Sequence, residues 1–205
     1  MTDIEKEETA EQKEILHFRL LRCSSNLTGP TDNFRKTDRE IITKINEAAN
    51  FVFEKEAHLN HVLAQIYLNK KVTGDKPKET KAKIKAHSDK TKDMLEEGLI
   101  AFCTFYDSSN TEKLKVSESD RFDRVHKKTS GLTRLYFKLK KSVKDESLAK
   151  EFTVILYPNS VFMIPLSTNR LYTHETRPSM LNIDMIPTRM GYVVRSSKAE
   201  ALFMN

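Results

Sequence analysis

The chain has 205 residues, a net charge of +6 and 31% charged residues, a length and balance that fit one domain with a buried core and lean toward an anionic partner such as nucleic acid. The polar first residues, "MTDIEKEETAEQKE", lack the apolar stretch of a secretion signal, and no later apolar run approaches membrane-spanning length, so a soluble intracellular protein with no membrane contact, cytoplasmic or nuclear, is expected. With two cysteines, Cys23 and Cys103, 80 positions apart, neither a disulfide framework nor a cysteine zinc site can be argued.

Residues 1–14 have the composition of a disordered acidic tail, which leaves 15–205 as the expected domain. "LHFRLLR" reads as a short strand, and "SSNLTGPTDN" after it as a loop marked by Gly29 and Pro30. The clearest helix is "TDREIITKINEAANFVFEKEA": Thr37 and Glu40 have capping-box spacing, and Ile41, Ile45, Ala48 and Val52 recur at helical intervals. From "NHVLAQIYL" onward the apolar runs shorten to strand length: "GLIAFCTFY", "LTRLYFKLKK", "EFTVILY", "SVFMIPL", "RLYTHE", "LNIDMIP" and "MGYVVRSS". Leu135, Phe137 and Leu139 alternate as core residues, and Cys103 sits in an apolar strand. Strands in series after one helix predict a sandwich, barrel or jelly roll. Two polar stretches, "NKKVTGDKPKETKAKIK" and residues 107–130, read as surface loops. The first supplies Lys70, Lys71, Lys76, Lys78, Lys81, Lys83 and Lys85. These lysines either meet phosphates or keep a solvated loop soluble, and no aromatic residue interleaves with them.

Candidate chemistry falls in three stretches. In "HSD", His87 and Asp89 share one face of an extended segment, so an imidazole nitrogen and a carboxylate oxygen can reach one cation. Equally, Asp89 can orient a surface histidine. Two histidines and one carboxylate hold Fe(II) while leaving three octahedral positions open, which suits oxygen activation with a bidentate cosubstrate. Of the six histidines, His17, His58 and His61 lie upstream and His126 falls in the polar insertion, which leaves His174 in "NRLYTHETRPS". The plain alternative is a strand-end histidine bonded to nearby backbone. In "PTRMGYVVRSS", Arg189 and Arg195 are six apart and share a strand face. They fit exposed acidic partners across a sheet, or a dicarboxylate matched by guanidinium forks. Neither a phosphate-cradling glycine loop nor a nucleophile elbow is present.

The order of these elements resembles the AlkB-like branch of the Fe(II)/2-oxoglutarate-dependent dioxygenases, whose pattern runs N-x6-Y, H-x-D, a later H, then R-x5-R. Here it reads Asn60 and Tyr67 in "NHVLAQIY", His87 and Asp89 in "HSD", His174 in "YTH", and Arg189 and Arg195 in "RMGYVVR", across residues 58–197. The resemblance implies a mainly β fold with α, a double-stranded β-helix (jelly roll) with the N-terminal helix packed on one sheet. It also implies Fe(II) on His87, Asp89 and His174, and O2 as oxidant. The cosubstrate 2-oxoglutarate would place its distal carboxylate on Tyr67 and Arg189, with Arg195 near the end that chelates iron. Gln65 stands where the family usually has an asparagine, giving a longer arm toward the cosubstrate. The implied reaction is oxidative hydroxylation or demethylation of an alkylated nucleic acid base. Separately, "TFY" replaces the small residues usual after the H-x-D strand, and the N-terminal part is short and contains no tryptophan, so a base-stacking lid is not recognisable. Two alternatives therefore stand: a hydroxylase of the same fold acting on a protein or small molecule, and a non-catalytic basic binding module.

Overall fold

The computed structural model describes residues 1–21, 32–56, 58–74, 76–107, 132–179 and 183–204. Most of the expected loop "SSNLTGPTDN", the insertion from 108 to 130, Cys23 and His126 lie outside the described residues. Within them the elements run β1 (Ile4–Glu8), β2 (Glu14–Arg19), α1 (Lys36–Val52), β3 (His61–Tyr67), β4 (Lys70–Val72), β5 (Lys78–Thr80), β6 (Ile84–His87) and β7 (Leu99–Tyr106). They continue with β8 (Arg134–Leu139), β9 (Glu151–Ile155), β10 (Ser160–Pro165), α2 (Leu166–Leu171), β11 (Tyr172–Arg177), β12 (Arg189–Arg195) and β13 (Glu200–Met204). The fold is mainly β, every strand pairing is antiparallel, and no sheet closes on itself.

Two four-stranded sheets, β10-β7-β12-β3 and β6-β11-β8-β9, form the centre. Side chains alternate across the first sheet. Val62, Leu99, Ala101, Cys103, Tyr192 and Val194 face α1 and share a core with Ile42, Ile45 and Ala49. The opposite parity, including Phe102, turns toward the second sheet and meets Leu135, Phe137 and Tyr172 in a second core. The expected core residues Leu135 and Phe137 are buried, Leu139 is partly buried against them, and Cys103 is buried.

Several expectations need correction. The helix starts at Lys36 and is capped by Asp38, whose carboxylate accepts the Arg35 backbone N–H at 2.9 Å, so the spacing of Thr37 and Glu40 is not what begins it. The other oxygen of Asp38 accepts the Tyr192 hydroxyl at 2.8 Å. That tie sets the helix rotation, and the buried stripe is Asp38, Ile42, Ile45 and Ala49, while Ala48 and Val52 face outward. Residues 1–14 are not a disordered tail: β1 pairs with β2, aligning Ile4 with Phe18, and the hairpin carries an ion pair between Lys6 and Glu14 and a hydrogen bond between His17 and Glu7. Cross-strand charge pairs let so polar a segment pair as a strand. "NKKVTGDKPKETKAKIK" contains the β4–β5 hairpin and the start of β6, hidden because β4 and β5 are exposed throughout and show no apolar alternation. "SVFMIPL" stops as a strand at Pro165, which lacks an N–H and leads into α2. "LNIDMIP" holds a 3-10 turn at Ile183–Met185 in place of a strand. Among the described residues no helix is long and apolar enough to cross a membrane.

His61 begins β3 with its side chain buried. Burial first, then the positive charges of the Met1 amino group and Arg195, lowers its pKa from 6.5 to about 3. Folding therefore expels a proton from this ring: the stability it contributes is complete above pH 6.5 and is lost as pH falls from there toward about 3. Thermal melting of the metal-free protein across that window should show Tm falling more steeply for the native chain than for His61→Gln.

Candidate metal centre

The antiparallel pairing of β6 with β11 sets His87 directly opposite His174, with ring centroids 4.5 Å apart. The register shifts between His174 and Thr176, the kind of irregularity that re-aims side chains next to sites. Asp89 follows two residues after His87, and ligand atoms of the three residues all lie within 4.8 Å of one another. Asp89 Oδ1 stands 3.4 Å from His87 Nε2 and 3.9 Å from His174 Nε2. Asp89 Oδ2 accepts a hydrogen bond from Arg195 Nε at 2.8 Å and pairs with Arg195 Nη2 at the same distance. The two oxygens are thus divided, one given to the arginine and one turned toward both imidazoles.

Two of the three groups, Asp89 and His174, are held in the protonation state that a divalent cation requires. Burial alone would push the Asp89 carboxyl up, but the hydrogen bond to His87 and the charges of Arg195 and His174 outweigh it and hold it at about 2. Burial lowers His174 to about 4, so its ring is neutral near pH 7. The bond to Asp89 raises His87, a proton that metal binding would displace. His87 Nδ1 lies 2.9 Å from the Lys85 carbonyl, which assigns that nitrogen the N–H and leaves Nε2 as the donor to a cation. His174 is 4% exposed and packs between Phe102 and Phe137, with ring centroids at 5.5 and 5.7 Å. Its Nδ1 has no hydrogen-bond partner among the described residues.

The histidines and Asp89 line a cavity of about 440 Å³ between the two sheets, together with Arg189, Gly191 and Arg195 of β12 and Gln65 and Tyr67 of β3. Arg189 is 5% exposed and lies over the Tyr67 ring at 3.8 Å. Among the described residues it makes no salt bridge, and its Nε has no hydrogen-bond partner. A buried guanidinium left this way calls for an anion. Tyr67 donates its hydroxyl to Gln65 Oε1 at 3.1 Å. A Cβ at Gly191 would sit 2.9 Å from Tyr67 Cε2 and 3.2 Å from an Arg189 terminal nitrogen. Arg189 therefore leans along β12 toward Arg195, over the space the glycine leaves.

Seven of the eight expected site residues meet in this cavity: Gln65, Tyr67, His87, Asp89, His174, Arg189 and Arg195. Asn60 does not. Its amide donates to the Ser197 carbonyl at 2.9 Å and accepts the Ser197 N–H at 2.8 Å, a backbone clamp away from the cavity lining. Gly191 and Lys90, also in the lining, went unmarked in the sequence. For Gly191 a signal existed, since its even spacing from Arg189 and Arg195 places it on their face. No family model matches the chain, and no curated protein matches it.

Arg195 and Asp89 form a buried pair, their side chains 8% and 9% exposed. Arg195→Leu should destabilise the metal-free protein at pH 7 by roughly 3–5 kcal/mol, the usual cost of stranding one buried charge. In an Asp89→Asn background the same substitution should cost much less. Denaturant melts of the double-mutant cycle measure the difference.

Proposed function

We propose that the chain is an Fe(II)- and 2-oxoglutarate-dependent dioxygenase of AlkB-like type. The observation that carries this reading is the buried Arg189, without an acidic partner among the described residues, in the same cavity as a two-histidine, one-carboxylate cluster. The cluster alone suits several metals, whereas adding a buried arginine selects an anion that reaches from cation to guanidinium, and a small dicarboxylate does so. Strand order supports the accompanying fold, a double-stranded β-helix. Leaving out the β4–β5 hairpin and counting from β3 to β12 in chain order, the sheets run 6-3-8-1 and 2-7-4-5. Each sheet draws strands from both halves of the series, as jelly rolls do.

His87 Nε2, Asp89 Oδ1 and His174 would hold the iron, and Arg195 keeps the Asp89 carboxylate ionised and turned toward it. Arg189 would receive the distal carboxylate of the cosubstrate, with Tyr67 holding the guanidinium from its ring face and Gln65 fixing the Tyr67 hydroxyl. Leu63, Phe102, Leu135, Leu156 and Val193 line the cavity and limit water. Iron held there would supply oxidation by O2, by which 2-oxoglutarate would be converted to succinate and CO2 as a substrate C–H bond is hydroxylated. On an N-methyl group that hydroxylation ends in release of formaldehyde. An alkylated nucleic acid base is the proposed substrate, supported by the lysines of β4 and β5, exposed on a hairpin whose chain joins Tyr67 and Ile84 of the cavity.

Succinate formation with Fe(II), 2-oxoglutarate and O2 tests the reading. Turnover stimulated by N-methylated oligonucleotides, with matching formaldehyde, and absent in His87→Ala is expected. Stimulation by peptides alone would move the substrate to protein, and no turnover with any substrate would favour a binding module. Gly191→Ala crowds Tyr67 and Arg189. It should raise KM for 2-oxoglutarate about tenfold, as overpacking of 1–3 kcal/mol implies, while leaving metal affinity unchanged.

A further inference from the structure

One buried side chain outside the ligand set is bonded to the peptide of a ligand. Asn169, in α2 and 1% exposed, accepts the Asp89 backbone N–H on its Oδ1 at 2.9 Å and donates from Nδ2 to the Asp89 carbonyl at 3.1 Å. Asp89 lies beyond the end of β6, so this amide takes the place a partner strand would fill. Ser88 adds a bond from its hydroxyl to the Tyr172 carbonyl at 2.9 Å. Behind it, Lys140 Nζ donates to the carbonyls of Asn169 and Arg170 at 3.1 and 2.7 Å, fixing the end of α2.

We infer that Asn169 is a positioning residue for the metal centre, an inference that rests on reading His87, Asp89 and His174 as metal ligands. Asn169 touches no cation. It fixes the Asp89 peptide, so that the side chain delivers Oδ1 to the histidines while Oδ2 reaches Arg195. A carboxylate gripped by Arg195 alone can still pivot about its own backbone, and Asn169 removes that freedom. Because α2 leads directly into β11, the same clamp ties the segment bearing Asp89 to the segment bearing His174.

The fold contains a control for this role. Asn46 clamps Leu59 in the same reciprocal way, at 3.1 and 2.9 Å, on the helix side of the first sheet. Losing that clamp removes the same chemistry with no ligand attached.

The test is a Co(II) titration of metal-free protein, followed by the visible d–d bands, together with hydrogen exchange at the Asp89 amide. The proteins are native, His87→Ala, Asn169→Leu, Asn169→Ser and Asn46→Leu. Two Asn169 variants are made so that one folded variant carries the comparison. The native chain should bind Co(II) in a His87-dependent manner. The Asn169 variants should bind about 10–100-fold more weakly, the range for lost outer partners of metal ligands, with altered bands and faster exchange at Asp89. Asn46→Leu should lower Tm yet keep native affinity and bands. Native affinity in a folded Asn169 variant, or equal weakening in Asn46→Leu, overturns the positioning role and leaves the metal reading standing. Failure of the native chain to bind Co(II) at His87 overturns both.

Discussion

A single carboxylate, that of Asp89, organises the site. It is buried, and burial penalises its charge, so it stays ionised only because Arg195 takes one oxygen and the imidazoles face the other. Each neighbour in turn depends on Asp89. Arg195 is itself 6% exposed and directs its Nε to Asp89 Oδ2 at 2.8 Å. His174 is neutral for want of solvation, and the Asp89 charge is the one influence that raises its pKa. The arrangement is consistent without a cation: Asp89 is ionised and His174 neutral, and a divalent cation would have the His87 proton left to displace.

The two-sheet architecture makes that convergence reachable. β12 presents Arg189, Gly191 and Arg195 on one face, while Tyr192 and Val194 on the other face hold the sheet against α1. Period-two alternation therefore separates structural from cavity-lining residues within seven consecutive positions. β6 and β11 bring the histidines across from the second sheet. Gly191 contributes the absence of a side chain, since any Cβ there would press on Tyr67 and Arg189. The two histidines with Asp89, and an arginine without an acidic partner among the described residues, share one cavity: β6 and β11 of one sheet carry the histidines, and β12 of the other carries Arg189.

Much of this was legible in the sequence, for reasons that also mark the limits. The spacing of His87 and Asp89, and of Arg189 and Arg195, encodes a shared face directly, because strand periodicity fixes it. The apolar strands β3, β7, β8, β9, β10 and β12 show in composition for the same reason. Strands whose residues are charged and exposed, β1, β4 and β5, carry no such pattern, and their hairpin pairing rests on backbone bonds and charge pairs that apolar alternation does not report. The helix face was misread by one position because a tertiary bond, Tyr192 to Asp38, decides the rotation. Asn60 kept a motif position yet serves Ser197, and Asn169, five residues before His174, has nothing in its neighbourhood to mark it. Amide clamps depend on where a distant peptide lies, and one-dimensional patterns do not carry that.

The central claim is that His87, Asp89 and His174 hold iron while Arg189 receives a 2-oxoglutarate carboxylate in the same cavity. Its most direct test is an anaerobic titration of metal-free protein with Fe(II) and 2-oxoglutarate, following the visible metal-to-ligand charge-transfer band. A saturable band that disappears in His87→Ala, and needs far more 2-oxoglutarate in Arg189→Met, is the predicted result. Folded native protein that develops no band, or a band indifferent to both substitutions, would contradict it.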